Sequence, residues 1–191
     1  MKQELVRISK FMSLVLRHEP EKIGLNMDSE GWVSVEELIN KINGHSSSKL
    51  KGTEKITKDI IDEVVDTNEK KRFAYNSDGT KIRASQGHSI DVDLKMSSVS
   101  PPEILFHGTA SRFIHFIKKD GIKKMNRQHV HLSSTKSTAI SVGSRHGDSC
   151  VIVVKSGDMK RDGFVFFMSE NGVWLTDNVP SKYLVFEMHS R

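Results

Sequence analysis

Three histidine-bearing segments lie between Ile104 and Gly147, namely Leu-Phe-His107-Gly108-Thr109, Arg127-Gln-His129-Val-His131-Leu-Ser133 and Val142-Gly-Ser-Arg145-His146-Gly147. Each ends or flanks a short β-prone run. Side chains alternate faces along a strand, so the pattern predicts Arg127, His129 and His131 on one side, with Gln128, Val130 and Leu132 on the other. Apolar residues on one face suit a core. Imidazoles and a guanidinium on the other suit a cleft that handles anions.

A phosphomonoester dianion is held best by guanidinium forks, which match its geometry and stay charged. The candidates are Arg17, Arg83 and Arg145, with His18 and Lys81 as further donors. They sit on three distant segments, and periodicity cannot bring them together. Taken singly, each is an ordinary surface charge. His129 and His131 could suggest zinc, yet neither a cysteine pair nor a nearby acidic third ligand accompanies them, so no metal is expected. His107 and His131 with a lysine could instead cleave RNA by general acid–base catalysis. No Gly-x-Gly-x-x-Gly occurs, which removes a Rossmann reading.

The elements that must position these residues fall within 191 residues, enough for one domain or two small ones. An apolar fraction of 36% and a charged fraction of 28% are those of a globular chain, not a disordered one. The net charge of +5 is unevenly held. Residues 1–96 carry 16 basic and 16 acidic side chains, residues 97–191 carry 13 and 8, and six of the nine histidines lie in the second half. A basic half predicts an anionic partner, a phosphate-bearing ligand or nucleic acid. Cys150 is the single cysteine, so no intrachain disulfide forms; preceding Val-Ile-Val-Val, it reads as part of a buried strand rather than a catalytic thiol. The absence of a signal-like or membrane-length apolar run predicts a cytoplasmic protein.

Leu5, Ile8, Met12, Val15 and Leu16 predict a helix stopping near Glu19-Pro20, with Arg17 and His18 on its last turn. Trp32-Val33 is a short extended piece. Ser34 starts a second helix, with Glu37 completing a capping box. Residues 43–53 read as a loop, and a third helix starts near Thr57. Phe73–Tyr75 and Lys81–Ala84 flank Ser77-Asp-Gly-Thr80 as a hairpin whose exit strand runs on toward Ser89, with Lys81 and Arg83 on one face. Three helices and a β ribbon are the order of a winged-helix module, and the prolines near 101–102 mark a boundary. Beyond it the spacing predicts a helix around Phe113–Ile117 ended by Gly121, and another over Thr135–Val142. Strands are expected at 150–155, 163–168, 173–175 and 183–188, with Asn171-Gly172 as a hairpin turn. The expected fold is α+β on antiparallel strands, with domains at 1–96 and 97–191.

Seven stretches then resemble one family in order. They are SKFMSLVLRH (Ser9–His18), GWVSVEEL (Gly31–Leu38), KIRASQGHS (Lys81–Ser89), LFHGT (Leu105–Thr109), HVHLS (His129–Ser133), VGSRHG (Val142–Gly147) and NGVWLT (Asn171–Thr176). The chain resembles the RNA 2′-phosphotransferases, often described as tRNA 2′-phosphotransferases, over essentially its full length and without departure in these motifs. The resemblance implies a winged helix joined to an ADP-ribosyltransferase domain. It also implies NAD as co-substrate and RNA with an internal 2′-phosphate, left by splicing or repair, as substrate. In that family the RNA 2′-phosphate attacks the nicotinamide ribose and nicotinamide leaves. The ribose 2″-hydroxyl then takes the phosphate, giving 2′-hydroxyl RNA and ADP-ribose 1″,2″-cyclic phosphate.

By the same resemblance Arg17, His18, Arg83 and Arg145 clamp the phosphate and Lys81 assists the second step, in a cleft shared by both halves. His107, Gly108, Thr109, His131 and Ser133 line the NAD site, and His129 is support. Arg127, His88 and His146 are left between supporting and structural roles. A monomer without membrane contact is expected. The competing readings are an ADP-ribosyltransferase that stops after the first step, a non-enzymatic winged-helix nucleic-acid binder, and the NAD-independent nuclease.

Overall fold

Leu5, Ile8, Met12, Val15 and Leu16 share one face of the first helix, α1 (Gln3–Arg17), and all five are buried. The computed structural model describes residues 3–45 and 55–186. The chain divides into two units, Met1–Lys95 and Met96–Arg191.

In the first unit α1 is followed by β1 (Val33–Ser34), α2 (Val35–Gly44), α3 (Lys58–Asp66), β2 (Phe73–Tyr75) and β3 (Lys81–Ala84). The strands form an antiparallel sheet in the order β1-β3-β2, so β3 is central. Phe11, Met12, Leu16, Leu38, Ile61 and Ile82 fill the core, each contributing roughly 1.5–3 kcal/mol by leaving water. Ser34 caps α2, its Oγ accepting the Glu37 N–H at 3.3 Å. The reciprocal half of the expected capping box is not made there. The Glu37 carboxylate accepts instead from the Asn26 backbone N–H and side-chain amide, at 2.8 and 2.9 Å, and so ties down the preceding loop. Thr57 caps α3 in the same way as Ser34. The expected loop at 43–53 begins within α2, and its residues 46–53 lie outside the described residues. The exit strand is shorter than expected: β3 ends at Ala84, and the chain then turns through Gly87, whose φ is +88°.

The second unit contains β4 (Leu105–Ala110), α4 (Ile114–Asp120), β5 (Ile122–Lys123), β6 (Val130–Leu132), α5 (Lys136–Gly143) and β7 (Ser149–Val154). It continues with α6 (Ser156–Arg161), β8 (Phe167–Met168), β9 (Trp174–Thr176), β10 (Asn178–Val179) and β11 (Leu184–Phe186). Antiparallel sheets run β11-β7-β4 and β6-β9-β8, with a small pair β10-β5. A bridge between Phe106 and Ser133 links the first two sheets, closed by reciprocal backbone bonds of 2.9 and 2.8 Å. Leu105, Leu132, Val154, Phe166 and Trp174 pack the core.

Two expectations here are corrected. The strand predicted across 127–133 is regular only at 130–132, and Arg127 to His129 form bends, so strand alternation does not govern Arg127 and His129. The strand predicted over 163–168 is reduced to its last two residues, because Gly163 and Phe164 still complete the end of α6 through bonds to Lys160 and Met159. Helix α6 itself was invisible to periodicity: of its six residues only Met159 is a large apolar one, and it is fully buried. The strand expected over 183–188 appears as β11, and its positions 187–188 lie outside the described residues. No helix among the described residues is long and apolar enough to cross a membrane.

Candidate active site

The first unit gathers its cations around a buried imidazole. The loop Gly87-His88-Ser89 is stitched to the end of α1, since the Ser89 N–H donates to the Arg17 carbonyl at 3.0 Å and Ser89 Oγ lies 2.9 Å from His18 Nδ1. This brings His88 inward, where it is 1% exposed. Its pKa is pushed down to about 4, first by burial and then by the electrostatic influence of Arg17, His18 and Arg83. His88 is therefore neutral at physiological pH, and neither ring nitrogen has a hydrogen-bond partner among the described residues. Sequence reasoning left His88 undecided; its signal was its place inside KIRASQGHS, one residue from the segment that meets His18.

The turn Asp28–Gly31 organises the other two cations. Gly31 takes φ +81°, a conformation that disfavours any side chain. Asp28 Oδ1 accepts the N–H groups of Glu30 and Trp32 at 3.1 and 2.9 Å, and its Oδ2 pairs with Lys81 Nζ at 3.2 Å. Burial pushes the Asp28 carboxyl up, but the Trp32 N–H, Lys81 and the Glu30 N–H outweigh it and hold the pKa below its ordinary value. Arg83 stacks on the Trp32 ring, 4.2 Å from its centroid, and reaches the Glu30 carbonyl weakly at 3.5 Å. Lys81 and Arg83 do share a face of β3, opposite the fully buried Ile82.

Arg17 donates to the Arg72 carbonyl at 3.3 Å. Arg72 in turn donates to Asn68 Oδ1 at 3.2 Å, and the Asn68 amide donates to Ser9 Oγ at 3.0 Å. This chain of contacts, which the sequence did not reveal, supports the end of α1 from below. Guanidinium forks of this kind match the geometry of an anion with several oxygens.

In the second unit His107 on β4 and His131 on β6 are set side by side by the Phe106–Ser133 bridge. His107 Nδ1 lies 3.1 Å from the His131 carbonyl. A carbonyl only accepts, so Nδ1 carries the proton and Nε2 is left as an acceptor. Burial holds His107 below the ordinary histidine pKa, against the raising effect of that carbonyl, and Arg127 adds to the lowering. His131 Nδ1 lies 2.9 Å from Arg127 Nη1. A guanidinium only donates, so His131 has the opposite tautomer, with its proton on Nε2. The two neighbouring rings therefore carry opposite tautomers.

Thr109 is buried on β4, opposite Cys150 of β7. Gly108 has no room for a side chain: a Cβ there would meet the Ala139 carbonyl of α5 at 1.8 Å. Ser133 sits half-buried at the bridge. His129 packs edge-on against Phe167, centroids 5.7 Å apart, and burial, then Lys124, lower its pKa against the opposing Asp177. Arg145 lies exposed in the turn after α5 and makes no hydrogen bond or ion pair among the described residues. Among those residues no cluster of three or more His, Cys, Asp or Glu is placed to hold a metal ion.

Known proteins match this chain along nearly all of its length. The family described as RNA 2′-phosphotransferase, Tpt1 / KptA family, matches residues 3–178. A probable RNA 2′-phosphotransferase of Flavobacterium johnsoniae is 56% identical over 180 residues, 94% of this chain and 95% of the relative. Proteins of the same description from Acaryochloris marina and Fusobacterium nucleatum are 48% and 47% identical, covering 97% and 95% of this chain and 98% of each relative. Identity at that level over more than nine-tenths of the chain, together with a family match that spans residues 3–178 and so reaches into both units, makes the chain a member of the RNA 2′-phosphotransferase family.

Proposed function

We propose that the protein removes an internal 2′-phosphate from RNA in an NAD-dependent reaction through an ADP-ribosylated 2′-phosphate, leaving 2′-hydroxyl RNA, nicotinamide and ADP-ribose 1″,2″-cyclic phosphate. The observation that carries this reading is the grouping of Arg17, His18 and Arg83 about the neutral His88. Neutral His88 leaves the charge of the cluster to groups that can face a dianion. Arg17 and Arg83 bind and orient the phosphate, and their fixed guanidinium planes meet its growing charge without reorganising. His18, held by Ser89, supplies a further donor. Lys81, paired with Asp28, balances charge during phosphate transfer in this reading, and Arg145 belongs to the same set through its match to the family motif.

The second unit fits a dinucleotide rich in hydroxyl and phosphate groups. His107 brings Nε2 as an acceptor and His131 stands beside it, with Thr109, Ser133 and the backbone at Gly108 completing the lining. NAD, when bound, supplies an anomeric carbon with a departing nicotinamide and a hydroxyl beside it. A reaction of this kind asks the chain for positioning and charge balance more than for a strong acid or base. The winged-helix reading of the first unit and the ADP-ribosyltransferase reading of the second accompany this proposal, as do a monomeric, cytoplasmic protein and a role in RNA processing such as tRNA splicing.

The test incubates a 2′-phosphorylated oligoribonucleotide with the protein, with and without NAD, and follows nicotinamide and the phosphate together. Both should change only when RNA and NAD are present. Phosphate loss without NAD, or strand scission, would sink the proposal.

A further inference from the structure

A second cationic feature of the first unit lies along one face of α1. Ser9, Ser13 and Arg17 form one row at i, i+4 and i+8, and Lys10 and His18 stand in the neighbouring row; such rows lie on one side of a helix. With Arg72 overhanging, these residues line a cleft of about 360 Å³. No acidic side chain is among its lining residues. Ser9 to Arg17 spans roughly 12 Å along the helix.

Arg72 is placed with care. Its guanidinium is half-buried and held by Asn68 Oδ1 at 3.2 Å, and Asn68, itself 2% exposed, is locked by Ser9. Burial lowers the Arg72 pKa, so this charge stands partly out of water with a neutral amide as its hydrogen-bond acceptor. Neither Arg72 nor Lys10 forms an ion pair among the described residues. A half-buried guanidinium fixed beside a lysine and two serine hydroxyls, with no carboxylate among the lining residues to neutralise it, is a seat for an exogenous anion. The Arg17 side chain bonds the Arg72 backbone, so this seat continues directly from the Arg17–His18–Arg83 cluster.

We infer that this cleft holds a backbone phosphate of the RNA strand next to the nucleotide bearing the 2′-phosphate, with Arg72 as anchor and Lys10 as supporting charge. This rests on the RNA reading above and adds a second contact point, one that favours substrates longer than the reacting dinucleotide.

The experiment measures binding by the full chain without NAD, using a hexanucleotide and a dinucleotide that each carry one 2′-phosphate, over a range of salt. The wild type should bind the hexamer more tightly. Arg72→Ala and Lys10→Ala should each shrink that advantage about fivefold and flatten the hexamer's log–log salt slope by about 0.7, the value for one single-strand phosphate contact. Lys41→Ala, which removes an exposed charge outside the cleft, controls for net charge. Lys10 is exposed and makes no side-chain bond among the described residues, so its variant should fold even if Arg72→Ala does not. An unchanged advantage and slope in the Lys10 and Arg72 variants, or equal loss in Lys41→Ala, overturns the inference while leaving phosphate removal intact. A wild type that shows the length advantage but removes no phosphate overturns the function and keeps the cleft; one that binds neither oligonucleotide overturns both.

Discussion

His88 and Arg83 concentrate the chemistry of the first unit at the scale of single residues. Burial first, and then the electrostatic influence of Arg17, His18 and Arg83, holds His88 neutral, with a native pKa of about 4 against roughly 6.5 unfolded. Between those values the unfolded chain binds the proton and the native chain does not, so stability falls as pH drops from about 6.5 and levels off below about 4. The difference is worth about 3 kcal/mol. Urea unfolding of wild type and His88→Gln from pH 4 to pH 7 should show a gap that closes at the acidic end, since the variant lacks that proton; parallel curves would contradict the neutral buried ring. The Arg83 guanidinium plane is stacked on Trp32, and the role proposed for it depends on that plane. Arg83→Lys keeps the charge and loses the fork and the stacking. It should slow phosphate transfer by about 10²-fold or more while ADP-ribosylated RNA accumulates, a species separable by chromatography. Its absence with turnover intact would remove Arg83 from the second step.

Among the elements, α5 and β4 show how packing governs the second unit. Gly108 and Gly143 are where the two backbones meet: a Cβ at Gly108 would lie 1.8 Å from the Ala139 carbonyl, and one at Gly143 would lie 2.8 Å from the Thr109 carbonyl. A backbone carbonyl cannot swing aside, so Gly108→Ala must push α5 off the strand. The expected loss is about 3 kcal/mol or more, read as a lowered urea midpoint, and His107 would move with the strand. Retention of full stability would mean that α5 can shift freely. This gives the glycine in LFHGT a packing duty whatever ligand the strand meets. A smaller effect belongs to the start of α2. Ser34→Ala removes the oxygen that accepts the Glu37 N–H and should lower stability by about 1 kcal/mol, whereas Glu37→Ala should instead loosen the loop at Asn26, measurable by amide exchange at that residue.

For the whole molecule, the proposed set of residues draws on both units, with Arg17, His18, Lys81 and Arg83 in one and His107, His131 and Arg145 in the other. Neither 1–96 nor 97–191 alone should turn over substrate, and full activity from 97–191 would refute the roles given to Arg17 and His18. The sequence by itself determined what rests on local periodicity and capping: α1, α2, α3, the β2–β3 hairpin and the turn at Asn171-Gly172, where the information lies within a few residues. It also determined family membership, because seven short stretches in order need no geometry to be recognised. Tertiary structure decided the rest. Alternation failed at Arg127 and His129 because a bend, not a strand, carries them; even so, the bend delivers Arg127 to His131 and sets its tautomer. The Ser9–Asn68–Arg72 network and the burial of His88 join residues dozens of positions apart. Such contacts depend on how helices and strands pack, and no spacing along the chain encodes that distance.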